Sequence, residues 1–270
     1  MTKTSYYLFL SIFVLSCETK PADIDPIPVH DSFSIDSKYV NEKRVITVWT
    51  PPKYKENNDT LPVLYMPDGG IKEDFPHIAN TISKLIENKS IPPIILVGIE
   101  NTERGRDLTG SSEVEEDAEY CPITDGAKNF RAFITDELVN EINERYSVTT
   151  EKGIIGESLA GLFVMETFFL KPDAFDFYIA MDPSLWWNNH YLEKNAKTYF
   201  SNFPNKRTKL WFAGSDAEDI SIYTKSVASA LQNDAPKELI WKYSDEPNEK
   251  HNTIFRATKE KALTWILNVK

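Results

Sequence analysis

The chain has 270 residues, of which 41% are hydrophobic and 26% charged, and its formal net charge is −11 at pH 7. This length suits one large folded domain, and the composition is ordinary for a soluble globular protein. The acidic balance, with no basic run, argues against nucleic acid as a partner, because phosphate binding needs a positive surface.

The first residues have the pattern of an export signal. Lys3 precedes an apolar run that is too short to span a bilayer as a stable helix. The run ends in Val14-Leu15-Ser16-Cys17, which resembles the lipobox of bacterial lipoproteins, with Cys17 as the lipidated residue. The alternative is a plain cleaved signal with an incidental cysteine.

The chain therefore divides into three predicted parts. We expect a signal peptide over residues 1–17, a flexible Pro-containing tether over 18–30 and a single folded domain over 31–270. The protein would then be an exported bacterial lipoprotein, periplasmic or associated with the outer membrane, and held at the membrane by its N-terminal lipid. If Cys17 carries lipid, Cys121 stands alone and no disulfide can form within the chain.

Short apolar strands alternate with helical patterns along the predicted domain. The predicted strands are Ser34–Ile35, Arg44–Trp49, Leu61–Met66, Ile94–Ile99, Gly153–Ile155, Phe177–Met181, Lys209–Ala213 and Leu239–Tyr243. The predicted helices are Phe75–Asn88, Phe130–Tyr146, Leu159–Leu170, Ser221–Leu231 and Thr253–Leu267. Residues 101–125 are polar and suggest a long excursion over one edge of the sheet. This alternation predicts an α/β fold with a doubly wound, mostly parallel sheet and helices on both faces.

The segment Gly156-Glu157-Ser158-Leu159-Ala160-Gly161 indicates a nucleophilic serine. A nucleophile elbow needs a strand, a very tight turn at the serine and a helix directly after it, with small residues where the two backbones approach. The segment lies between a predicted strand and a predicted buried helix. Ala160 takes the place of the usual second Gly, which is a mild departure. We therefore predict Ser158 as the nucleophile of an α/β-hydrolase.

A serine hydroxyl needs a base, and the base needs an orienting carboxylate. In this fold the order along the chain is Ser, acid, His. His190 comes too early to leave room for an acid-bearing strand, whereas His251 follows the last strand and precedes the closing helix. His251 is therefore the predicted base, although position alone would also allow an exposed loop histidine.

Several carboxylates are candidates for the acid that orients the base. The loop after the strand Lys209–Ala213 contains three of them, and we favour Asp219, then Glu218, then Asp216. Asp182, which ends the preceding strand, is an outside candidate.

Two backbone N–H groups are expected to hold the oxyanion. One belongs to Leu159, the residue after the nucleophile, where the helix dipole helps. The other is expected in the turn Asp68-Gly69-Gly70 after an early strand, with Gly70 the favoured donor. An ordinary Gly turn is the alternative.

Five blocks of the chain together resemble the putative esterase family, which includes enterochelin esterases, esterase D, feruloyl esterases and mycolyltransferases. The blocks, which run in the family's order from about residue 35 to the C-terminus, are Tyr65–Gly69, Val97–Thr102 with Arg104, Asp107–Thr109, Gly156–Phe163 and Asp182–Trp187. The chain is most similar to the periplasmic siderophore-esterase branch. The resemblance implies Ser158 as nucleophile, His251 as general base, and Gly70 with Leu159 as oxyanion donors.

The chain departs from the family at two positions. Many members have His or another residue where Glu157 stands, and Ser where Asp182 stands. Glu157 beside the nucleophile is expected to alter local electrostatics, and Asp182 raises the prospect that the acid has moved to another strand.

These features predict a cofactor-free serine esterase acting on a small-molecule ester. Trp186 and Trp187 follow a strand end and are candidates to line the substrate cleft, with core packing as the alternative. No cluster of His, Asp or Glu has the spacing of metal ligands. The competing hypotheses are an acyltransferase or thioesterase with the same triad, and a non-catalytic, membrane-tethered binding protein on a hydrolase scaffold.

Overall fold

The computed structural model describes residues 25–269. Cys17, the predicted lipidation site, and the rest of the predicted signal peptide lie outside the described residues. Within the described part, no helix is long and apolar enough to cross a membrane.

Eight strands form one sheet. They are β1 (Asp31–Ser37), β2 (Glu42–Trp49), β3 (Leu61–Pro67), β4 (Ile95–Ile99), β5 (Val148–Glu157), β6 (Phe177–Met181), β7 (Thr208–Gly214) and β8 (Leu239–Asp245). The spatial order is β1-β2-β4-β3-β5-β6-β7-β8. β2 pairs antiparallel with β1 and β4, and all other pairs are parallel. The carboxyl ends of β3 to β8 therefore meet at one edge of the sheet.

Helices connect the strands. They are α1 (Tyr54–Asn57), α2 (Phe75–Glu87), α3 (Arg104–Leu108), α4 (Gly126–Ala132), α5 (Val139–Arg145), α6 (Leu159–Leu170), α7 (Trp187–Lys194), α8 (Ala196–Ser201), α9 (Glu218–Asp234) and α10 (Ile254–Asn268). A 3₁₀ turn occupies Glu115–Glu119, and a π-helix at Phe133–Leu138 joins α4 to α5.

Apolar residues on the two faces of the sheet form two separate cores. Because side chains of a strand point alternately to either face, neighbouring residues enter different cores. Ile154 packs on one face with α4, α6 and α9, whereas Ile155 packs on the other with α2 and α10. α6 is buried along nearly its whole length, which explains its uniformly apolar sequence. The predicted doubly wound α/β-hydrolase fold, with helices on both faces, is confirmed.

Several helical regions differ from the sequence prediction, among them the short helices α1 and α3, which no pattern indicated. The predicted helix Phe130–Tyr146 is part of a longer helical run that contains the π-turn, and Phe133, Ile134 and Leu138 within this turn stay buried. α7 and α8 were not predicted. In α7, Asn188 to His190 have φ near 50°, a left-handed conformation that Asn tolerates better than most residues and that does not produce a regular helical pattern.

A buried ion pair fixes α6 against α4. Nη2 of Arg131 lies 2.5 Å from Oε1 of Glu166, and Nε of Arg131 donates to Oγ1 of Thr167 at 2.9 Å. Both charged side chains are more than nine-tenths buried. Burial raises the pKa of Glu166, and the charge of Arg131 opposes that shift. Since α6 begins at the residue after Ser158, this pair helps to hold the helix that carries the elbow.

We expect Glu166→Leu to lower the free energy of unfolding by about 3–5 kcal/mol, because it leaves the Arg131 guanidinium buried without its counter-charge. The double variant Arg131→Met/Glu166→Leu should recover a large part of that loss, since it removes both charges. Urea unfolding followed by circular dichroism measures both. Equal instability of the single and double variants would contradict this account of the pair.

Candidate active site

Ser158 occupies a strained turn between β5 and α6. Its φ is 59° and its ψ is −121°, a conformation that is costly for a residue with a Cβ. Its N–H donates to the carbonyl of Met181 at the end of β6, and its carbonyl accepts from Leu162 and Ser184. The surrounding backbone thus holds the turn, and the serine side chain is presented at the carboxyl edge of the sheet, as a nucleophile elbow requires.

Small residues make this turn sterically allowed. A Cβ at Gly156 would lie 2.6 Å from the backbone carbonyl carbon and oxygen of Ala160. A Cβ at Gly161 would lie 2.9 Å from the carbonyl oxygen of Met181. Ala160 can replace the usual glycine because its own methyl group occupies space that the absent Cβ of Gly156 leaves free.

His251 lies in the turn between β8 and α10 and contacts Ser158. Its Nε2 is 3.0 Å from Oγ of Ser158, and its Nδ1 is 2.7 Å from Oδ2 of Asp182. A carboxylate can only accept, so Nδ1–H donates to Asp182 and the unprotonated Nε2 accepts from the serine hydroxyl. This is the tautomer that a general base needs.

Asp182 is fully buried directly after β6. Its Oδ1 accepts from the N–H of Ser215 at 2.6 Å, and its Oδ2 accepts from Oγ of Ser215 at 2.6 Å as well as from His251. Three hydrogen bonds satisfy a charge that would otherwise be expensive to bury. They also fix the carboxylate in the plane where it meets the imidazole.

The expectation that Asp219 or Glu218 contacts His251 is wrong. Both side chains are exposed in the first turn of α9, and Asp216 is ion-paired with Lys250. The loop after β7 contributes Ser215 instead, which positions Asp182. The order Ser, acid, His is satisfied by either strand, so it could not separate the candidates. The signal that could have done so was the Asp directly at the end of β6, next to the strand that carries the elbow.

The pKa of His251 is raised. The hydrogen bond to Asp182 is the largest cause, and the negative charges of Glu157, Asp182 and Asp219 act in the same direction. Partial burial of the ring opposes them. The base therefore sits in a site that stabilises its protonated form.

Of the two expected oxyanion donors, the structure leaves one available. Leu159 begins α6, so no carbonyl within the helix can accept from its N–H. The N–H of Gly70 donates to Oε2 of Glu73 at 2.7 Å, while the N–H of Glu73 donates to the carbonyl of Gly70. The expectation of a free donor at Gly70 is therefore corrected, because this reciprocal turn occupies it.

A cleft of about 450 Å³ opens above Ser158 and His251. Trp186 lines it, and Tyr120 packs edge-on against Trp186 with ring centroids 5.3 Å apart. Trp187 does not line it: its side chain is buried and its Nε1–H donates to the carbonyl of Gly110. Only the first of the two predicted cleft tryptophans is therefore in place.

Two further groups form the wall of the cleft. Arg104 binds Asp68 through two hydrogen bonds, of 2.8 and 2.7 Å, which ties the excursion after β4 to the end of β3. Cys121 is a buried free thiol whose pKa is raised by burial, so it has the properties of a structural cysteine.

Across residues 25–269, no group of three or more His, Cys, Asp or Glu side chains could hold a metal ion.

The chain is similar to proteins that are named as esterases. The sequence model of the family described as "Putative esterase" matches residues 37–265. The ferri-bacillibactin esterase BesA of Bacillus subtilis is 36% identical over 128 residues, which are 43% of this chain and 44% of BesA. The siderophore enterobactin esterase of Emericella nidulans is 42% identical over 79 residues, 28% of this chain and 26% of that enzyme. The matched segments thus span less than half the length of these two relatives.

Solved structures extend the likeness to most of the chain. An IroE-like serine hydrolase from Shewanella oneidensis superposes with a TM-score of 0.80 at 25% identity, covering 88% of this chain and 80% of the other. The BES protein from Bacillus cereus, at 23% identity and a TM-score of 0.77, covers 89% of this chain and 96% of its own and shares the fold. With the family match over nearly the whole described region, the chain belongs to the putative esterase family of α/β-hydrolases.

Proposed function

We propose that this protein is a carboxylic ester hydrolase in which Ser158, His251 and Asp182 act as a catalytic triad. The observation that carries the proposal is the continuous chain of hydrogen bonds from Oγ of Ser158 through His251 to the buried carboxylate of Asp182. It lies at the bottom of an open cleft, where a substrate can reach the serine.

The reaction has two steps. His251 takes the proton of Ser158 as Oγ attacks the ester carbonyl, and the N–H of Leu159 stabilises the oxyanion. His251 then gives that proton to the departing alcohol, which leaves an acyl group on Ser158. Water, deprotonated by the same histidine, releases the acid and restores the serine. Asp182 holds Nδ1–H throughout and stabilises the imidazolium without taking its proton.

The relatives suggest a substrate class. Two of them are named as esterases of siderophores, a ferri-bacillibactin esterase and an enterobactin esterase. The cleft of this chain has a half-buried Trp186 and an exposed Tyr120 at its wall, which suits an ester with planar groups. We therefore propose siderophore esters as the first substrates to assay.

Ser158→Ala should abolish labelling by a fluorophosphonate probe and lower kcat/KM for a chromogenic ester by roughly four orders of magnitude or more, because the covalent step is lost. Ser229→Ala, at an exposed position of α9, is the control and should behave as the wild type. Labelling that persists in Ser158→Ala would contradict the assignment of the nucleophile.

Asp182→Asn should lower kcat by about 10⁴-fold, because the amide can donate to Nδ1 and so favours the wrong tautomer of His251. Asp219→Asn changes the exposed carboxylate that the sequence analysis favoured as the acid, and it should lower kcat by less than about tenfold. Steady-state kinetics of both variants, measured at the same pH above neutrality, compare the two losses in kcat. A larger loss in Asp219→Asn than in Asp182→Asn would reverse the assignment of the acid.

We also propose that Cys17 is lipidated and anchors the protein to a bacterial membrane. The lipobox-like Val14-Leu15-Ser16-Cys17 supports this. The full chain expressed in a bacterial host should incorporate labelled palmitate and partition into detergent, whereas Cys17→Ser should do neither. Equal labelling of both chains would refute the anchor.

A further inference from the structure

Glu157 places a second carboxylate against the catalytic histidine. It is the last residue of β5, directly before Ser158, and only 18% of its side chain is exposed. Its Oε1 lies 3.8 Å from Nε2 of His251, the nitrogen that faces Ser158. Within residues 25–269, its carboxylate accepts no hydrogen bond. It is therefore a largely buried acid whose nearest titratable neighbour is the base itself.

The groups around Glu157 determine its charge. Burial is the largest influence and raises its pKa to about 7. The negative charges of Asp74 and Asp182 act in the same direction, whereas the positive charges of His251 and Arg104 oppose them. Because Oε1 of Glu157 lies 3.8 Å from Nε2 of His251 and each group shifts the pKa of the other, their ionisations are linked.

We propose, on the basis of the ester hydrolysis proposed above, that Glu157 is a positioning residue that acts through His251: its ionised carboxylate stabilises the imidazolium formed when His251 takes the proton of Ser158. The bond made in that step joins Oγ to the acyl carbon, and the proton moves from Oγ to Nε2. Glu157 forms no covalent bond and transfers no proton in the step. Its contribution is a negative charge on the side of the ring opposite to Asp182.

This role predicts how kcat/KM falls on the acid side of its pH profile. When Glu157 is protonated, the imidazolium faces one carboxylate; when it is ionised, the imidazolium faces two. Full activity therefore requires the loss of a proton from His251 and of another from Glu157. The ionised Glu157 also raises the pKa of His251, so the base becomes free only at a higher pH.

The test is kcat/KM for a neutral chromogenic ester between about pH 5 and pH 9, in the wild type and in Glu157→Gln. The wild-type acid limb should require two ionisations. In Glu157→Gln the acid limb should fit a single ionisation. Its midpoint should lie at least about half a pH unit below that of the wild type, and the plateau of kcat/KM should be roughly three- to tenfold lower. A merely structural role would lower the plateau without moving the midpoint.

Two further variants separate the causes. Asp219→Asn removes the same charge from an exposed site that also faces His251, and should move the midpoint less because water screens it. Asp74→Asn should move one of the two ionisations to lower pH, because the negative charge that raises the pKa of Glu157 is gone. This second variant keeps the test decisive if Glu157→Gln does not fold.

Fluorophosphonate labelling of Ser158 in the wild type distinguishes failure of this inference from failure of the proposed function. If the wild type is labelled and active, but its acid limb fits one ionisation with the same midpoint in Glu157→Gln, the role of Glu157 is overturned while the triad stands. An acid limb unchanged in Asp74→Asn would also count against it. If the wild type is neither labelled nor active, both proposals fall.

Discussion

The buried carboxylate of Asp182 is the point on which the geometry of the site depends. It follows β6, it is held by Ser215 after β7, and it holds His251 after β8. Three neighbouring strand ends are thereby joined by hydrogen bonds to one charge. Removing that carboxylate would leave three donors without their acceptor, two on Ser215 and one on His251, and the cost of such unpaired groups keeps the arrangement in place.

The strained turn at Ser158 supplies the other half of the geometry. Its cost is met by backbone hydrogen bonds to β6 and by an apolar helix packed deep in one of the two cores. Negative charge then surrounds the histidine, with Asp182 on one nitrogen and Glu157 near the other. Arg104 is held by two hydrogen bonds to Asp68, and its positive charge opposes the rise in the pKa of Glu157.

The sequence predicts what local patterns determine. Continuous apolar strands and the small residues around Ser158 led to the fold and the elbow, and the loop position led to His251. It could not predict contacts that depend on how separate strand ends meet. Asp182 and Asp219 both obey the chain order, and only the packing of the two loops decides which of them reaches the imidazole. Likewise, no pattern indicated that Glu73 would occupy the N–H of Gly70.

The central claim is that Ser158 carries the acyl group during turnover. Mass spectrometry after rapid acid quench of the protein with a slowly hydrolysed ester tests it directly. Trypsin does not cleave between Lys171 and Pro172, so the tryptic peptide over residues 153–194 contains both Ser158 and Ser184, and fragmentation of that peptide should place the acyl group on Ser158. The account predicts that this peptide gains the mass of the acyl group. An active enzyme with no such adduct, or with the acyl group on the peptide that contains Cys121, would contradict it.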